Sequence, residues 1–149
     1  MRGMSLIVKT VTRLVAEFIT IFAVYIVLFG HLTPGGGFTG GVILACSFVL
    51  LTLAFGKDFS LHILSKRAAG IWDSVGALAF LIVALIGYKA GAFFLNLWAK
   101  PATFTLKSAG IIPIANIAIG VKVAAALFGG FIALAVFRRH GPGGYEEDE

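Results

Sequence analysis

At 149 residues the chain is long enough for one domain, yet 59% of it is hydrophobic and only 13% is charged, against about 45–50% and about 25% in an ordinary soluble domain. A water-soluble fold of this size leaves roughly a third of its surface exposed, so the apolar surplus, with a mean hydropathy of +1.00, must face lipid or other proteins, which excludes a free-standing soluble enzyme. The net charge of +5 comes from cations lying between apolar runs, not from the clustered basic face that nucleic acid requires, and the lone Cys46 excludes a disulfide framework and a cysteine metal site.

Crossing a hydrocarbon core of about 30 Å takes about 20 mostly apolar helical residues. Segments 6–29, 38–55, 69–90 and 114–137 meet that test, which predicts an all-α integral membrane protein, a bundle of about four transmembrane helices. The first segment begins like a signal peptide, but Lys9, Arg13 and Glu17 interrupt its apolar run and no small-x-small cleavage site follows, so it reads as a retained helix. Arg13 and Glu17 are four residues apart on one face, where Arg13 is placed to neutralise Glu17, and Thr10 and Thr20 extend the polar stripe. The second segment starts in a glycine run after Pro34 and stops at Gly56. Residues 57–67 mix charges with Phe59, Leu61, Ile63 and Leu64, the pattern of a segment lying on the membrane surface. The third segment's far end is open toward Trp98, an aromatic suited to the interface. Residues 99–112 read as a loop or re-entrant piece. Pro113 suits the first turn of the fourth helix, and Arg138 and Arg139 stop it. Residues 1–140 thus form a single membrane domain, and 141–149, glycine-rich and then acidic, read as a flexible tail.

With an even number of crossings, Arg2, Lys9, Arg13, Lys57, Lys66, Arg67, Arg138 and Arg139 fall on one side, and Lys89, Lys100 and Lys107 on the other. The positive-inside rule then puts both termini in the cytoplasm of a cell-membrane protein.

The densest motif runs from Gly30 through His31, Pro34, Gly35, Gly36, Gly37 and Phe38 to Gly40 and Gly41. Gly35, Gly37 and Gly40 satisfy the dinucleotide pattern G-x-G-x-x-G, and Asp58 follows about 20 residues later, but that fingerprint needs a preceding strand in a βαβ unit, and here apolar helices lie on both sides. The physical reading is a tight helix hairpin. Pro34 forbids continuation of the first helix, and the glycines permit a reversal with positive φ. Gly37, Gly41 and Ala45 then share one face at small-xxx-small spacing, open to close approach by another backbone.

The run GHLTPGGGFTGG, after a helix beginning TVTRLV, resembles the signature of the MnhB/MrpB family, small subunits of Mrp-type multisubunit sodium/proton antiporters. The same module occurs in archaeal membrane-bound hydrogenases and sulfane-reducing complexes. The later run from Ile112 and Pro113 through Asn116 and Gly120 to Lys122 and Val123 is similar to a P-x-x-N-I-x-x-G-x-K-V stretch of archaeal-type members. The resemblance covers most of the chain. It implies a four-helix subunit without the discontinuous helices and Lys/Glu proton channel of the large antiporter-like subunits, other Mrp-type membrane subunits as partners in a hetero-oligomer, and Na+ or H+ as the transported ion.

Ionisable groups inside a membrane helix cost about 2.5–3.5 kcal/mol on insertion scales and are functional candidates by default. Lys122 lies mid-helix among Ala115, Ala118, Ala125, Ala126, Gly129 and Ala133. It serves either as a proton carrier or cation-repelling charge, or as half of a structural ion pair. Glu17, near the middle of the first helix, is the second ion-path candidate. Asp73 falls in the first turn of the third predicted helix, where the dipole favours a carboxylate, and His31, at the hairpin entrance, completes the ion-path candidates. No nucleophile–base pair, Walker loop, metal-ligand cluster or iron–sulfur cysteine set is present, so the expectation is a non-catalytic chain with no cofactor and no metal. Two functions stand at this point: an ion-translocation subunit using the faces of Glu17, Asp73 and Lys122, or a structural scaffold that holds larger channel subunits together. A self-contained transporter is the weaker third, since four helices without a repeat leave little room for alternating access.

Overall fold

The computed structural model describes residues 4–56, 59, 64–89, 91–92, 94–95 and 109–137. They form four helices, α1 Leu6–Leu28, α2 Gly36–Phe55, α3 Lys66–Lys89 and α4 Ile112–Phe137, each long and apolar enough to cross a membrane. The predicted Arg138–Arg139 stop, most of the surface stretch, the loop before residue 109 and the acidic tail lie outside the described residues.

The helix ends follow from local chemistry. Ser5 caps α1, its Oγ accepting from the Val8 amide at 3.5 Å. At the far end the Phe29 carbonyl accepts from the amides of Leu32 (2.8 Å) and Thr33 (3.0 Å) and from the Thr33 hydroxyl (3.1 Å). Those bonds close the helix before Pro34, and the reversal passes through Gly35 at φ 119° and Gly36 at φ 60°, a region only glycine enters freely. Helix α2 therefore starts inside the glycine run, before Phe38.

Helix α3 begins before the predicted 69. Ser65 caps it, accepting from the Ala68 amide at 3.1 Å, so Lys66 and Arg67 belong to the helix and Asp73 sits about two turns inside it, not in the first turn. Nor does the helix run on toward Trp98. Gly91 takes φ 108°, and the chain folds back so closely that a Cβ on Gly87 would lie 2.5 Å from the Leu95 nitrogen, while the Phe80 and Phe94 rings meet at 5.2 Å. Helix α4 takes in Ile112 and Pro113 at its start.

The helices pack in the order α1, α2, α4, α3, with a minor contact between α1 and α4. The interior is built mainly from small residues, among them Ala16, Ala23, Ala45, Ala84 and Ala118, with Phe128 and Ile132 as its largest fully buried side chains. The long apolar side chains point outward, Leu6 80% and Leu134 73% exposed. In water that distribution would be costly. In lipid it is the expected one, because helix association there depends on close packing of small residues rather than on hiding apolar surface.

Candidate functional site

Helices α3 and α4 run antiparallel, with Ala69 beside Gly129 and Gly76 beside Ala118 and Lys122. Gly76 sets the spacing, since a Cβ there would lie 2.8 Å from Lys122 Cβ and 2.9 Å from the Ala118 oxygen. This approach brings the Lys122 Nζ to Asp73 Oδ1, to which it donates at 2.5 Å. Lys122 is about 15 Å along α4 and Asp73 about 10 Å along α3 at a rise of about 1.5 Å per residue, so the pair lies within the membrane span. It is not enclosed, however: the side chains remain 44% and 36% exposed.

Glu17 occupies a separate groove between α1 and α2, of about 560 Å³, shared with Arg13, Ala16, Thr20, Ile21 and Leu51. The expected neutralisation by Arg13 does not form. The Arg13 guanidinium instead lies over the Phe55 ring, 5.4 Å from its centroid, a cation–π contact worth about 0.5–2 kcal/mol, and among the described residues Asp73–Lys122 is the ion pair. Beneath Glu17, three oxygens form a triangle. The Thr20 hydroxyl is 2.8 Å from the Ala16 carbonyl and 2.8 Å from the Ser47 hydroxyl, and Ser47 donates to the same carbonyl at 3.0 Å. These bonds join α1 to α2 across a buried Ser47. Glu17 is thus grouped with Thr20 and Ser47, not with Asp73 and Lys122.

At the hairpin end, a Cβ on Gly37 would lie 2.3 Å from the Asn116 oxygen, one on Gly41 2.7 Å from the Gly120 oxygen, and one on Gly40 3.0 Å from the Ala23 oxygen. The Gly37/Gly41 face is therefore filled by α4 of the same chain, and Gly40 by α1. The backbone that approaches this small-xxx-small face is thus one from within the chain. The Asn116 amide is wedged against Gly30 and Gly36, and its buried Nδ2 makes no hydrogen bond. His31 is half-buried in the connecting turn. Among the described residues no three His, Cys, Asp or Glu side chains converge to hold a metal ion.

The two glycine- and asparagine-bearing runs thus form one clasp, and a model of the domain related to the MnhB subunit of Na+/H+ antiporters matches residues 7–136, which include that clasp and nearly all of the four helices. The chain belongs to the MnhB family. A protein of Staphylococcus aureus named as antiporter subunit mnhB2 is 34% identical over 123 residues, covering 75% of this chain and 86% of that one. An uncharacterized protein of Methanocaldococcus jannaschii is 39% identical over 108 residues, covering 68% of this chain but 41% of the relative. Among solved structures, a chain of the membrane-bound sulfane sulfur reductase, an archaeal respiratory membrane complex, superposes with a TM-score of 0.69 at 34% identity, covering 84% of this chain and 55% of that one. This MnhB-family chain therefore spans about half or less of the length of two of these relatives.

Three residues of the MnhB-type site carry more than sequence reasoning assigned them: Asn116 in the clasp, Ser47 between α1 and α2, and Gly76 under Lys122. The available signal was polarity or absence of a side chain inside an apolar helix, and it gave no partner.

Proposed function

We propose that this chain is a non-catalytic membrane subunit of an Mrp-type cation/proton antiporter module, contributing to Na+/H+ translocation alongside other membrane subunits, with both termini cytoplasmic. The observation that carries the reading is the Asp73–Lys122 pair, a half-exposed charge pair within the membrane span. The bundle does not seal this pair, and the Asp73 carboxylate keeps an accessible side. A pair left open at its side can exchange Lys122 for a passing Na+ or proton at the Asp73 carboxylate. Glu17 is a second acidic group within the helical span, about 16 Å along α1, and His31 is placed to meet ions at the hairpin mouth.

The test is Na+-dependent proton transport in membrane vesicles from cells whose own copy is replaced. The double neutral variant Asp73→Asn with Lys122→Met avoids leaving one charge unpaired and is expected to cut coupled transport roughly tenfold or more, equivalent to about 1.4 kcal/mol on the barrier, with the assembly intact on native gels. Unchanged transport would overturn the reading.

The scaffold reading has its own observation: Lys122 finds its partner inside the same chain, so the pair closes without any ion. Exchanging the charges, Asp73→Lys with Lys122→Asp, separates the two. A scaffold keeps wild-type transport after the swap, whereas an ion path that needs the carboxylate on α3 loses it.

A further inference from the structure

The Asp73–Lys122 pair is made across a gap that one missing side chain keeps open. The backbone of Lys122 lies beside Gly76, almost one turn beyond Asp73 on α3: a Cβ on Gly76 would lie 2.8 Å from the Lys122 Cβ and 2.9 Å from the Lys122 nitrogen. From there the Nζ reaches back to the Asp73 Oδ1. Residues three apart on a helix are neighbours on one face, with about 5–6 Å between their Cβ atoms. The aliphatic stem of Lys122 therefore meets α3 at the bare face of Gly76 and runs along it to the carboxylate.

A Cβ at position 76 would occupy the space in which that stem begins. The Ala118 oxygen, 2.9 Å from the same point, is a backbone atom and cannot turn aside. A methyl group is seated only by moving α3 from α4 or by turning the Lys122 side chain. Either shift weakens the ion pair, while the Asp73 carboxylate stays on its own helix with its accessible side. For a cation approaching Asp73, Lys122 is a competitor tethered to the site. A ligand whose site is only partly free binds more weakly in proportion to that free fraction. The more firmly the tether is held, the more cation is needed to displace it.

We propose that Gly76 is a positioning residue that sets the apparent affinity of the Asp73 carboxylate for its cation, by admitting Lys122 as a tethered competitor. The proposal rests on reading Asp73 as an ion-exchange site, and it assigns the strength of the competition to a residue without charge.

The test is the Na+ concentration dependence of proton transport in vesicles carrying the whole assembly. Gly76→Ala is expected to lower the KM for Na+ roughly threefold, a size suited to a partly exposed pair, without raising the maximal rate. Lys122→Gln removes the competitor and is expected to lower KM at least as far. In that background Gly76→Ala has no lysine left to displace and is expected to leave KM where it stands, a non-additivity that reports action through one partner. A glycine needed only for packing gives a different pattern, in which the maximal rate falls and KM holds, with Lys122 or without it. That pattern would overturn the proposal. So would a KM unchanged or raised in Lys122→Gln, a result that decides by itself if Gly76→Ala does not enter the complex on native gels. Transport unaffected by the double change Asp73→Asn with Lys122→Met would overturn the ion-exchange reading and this proposal with it. Transport lost in that double variant, with KM unmoved in the single ones, would overturn this proposal alone.

Discussion

Gly37 has no room for a methyl group. Its added Cβ would lie 2.3 Å from the Asn116 oxygen and 2.8 Å from the Asn116 Cα, both backbone atoms that cannot rotate away, so Gly37→Ala has to push α2 from α4. Overpacking of this kind costs about 1–3 kcal/mol, and denaturant unfolding in detergent is expected to show a loss of that size. At Gly70 the same substitution meets nothing within 4 Å and gains the helix propensity of alanine, up to about 1 kcal/mol. The two alanines are therefore expected to change stability in opposite directions, and equal effects would contradict the clasp. Asn116 poses a further question, because a buried amide without a partner costs about 1–3 kcal/mol. Asn116→Leu, similar in size, is expected to leave stability unchanged or raise it by about 1 kcal/mol. A clear loss would mean that the amide serves the fold.

Helices α1 and α2 hold together through small-residue packing and the Ala16–Thr20–Ser47 triangle. Ser47→Ala removes one hydroxyl, yet Thr20 still donates to the Ala16 carbonyl, and interhelical hydrogen bonds in membranes average about 0.6 kcal/mol. The expected loss is of that order by the same unfolding assay, and a drop above about 2 kcal/mol would make the triangle a principal bond of the bundle. The elements themselves were legible in sequence because each is a hydrophobic run bounded by Pro, Gly or charge, and the hairpin was legible because Pro34 and its glycines have few other uses. Their pairing was not. Asp73 and Lys122 lie on helices far apart in sequence, and nothing in either run records that α3 rather than α1 lies beside α4. The start of α3 was missed because Lys66 and Arg67 look like surface residues, while the Ser65 cap that draws them into the helix is a local signal easily outweighed by their charge. The Arg13–Glu17 spacing fits a helical ion pair, but spacing on one helix carries no information about Phe55 on the next.

At the scale of the whole molecule, the structure couples two features of topology that sequence treats separately. Asn116, near the start of α4, packs on Gly30, Gly36 and Gly37, so the hairpin and the entry to α4 share one side of the membrane. The Met4 amide donates to the Ala54 carbonyl at 3.3 Å and Ala69 lies beside Gly129, so the start of α1, the end of α2, the start of α3 and the latter part of α4 lie toward the other. A single sidedness measurement then orients all four helices. Under the proposed orientation, with both termini cytoplasmic as the positive-inside rule expects, the α3–α4 groove that Asp73 lines would lie in the cytoplasmic half and the Asn116 clasp in the external half. In a Cys46→Ala background, a membrane-impermeant maleimide added to intact cells is expected to label Leu32→Cys in the hairpin and to spare Leu64→Cys before α3, with Leu64→Cys reacting once the cells are opened. The opposite pattern would invert the protein. Asp73 would then face the external half, and a cation approaching from the cytoplasm would meet Asn116 and His31 before it met any carboxylate on α3.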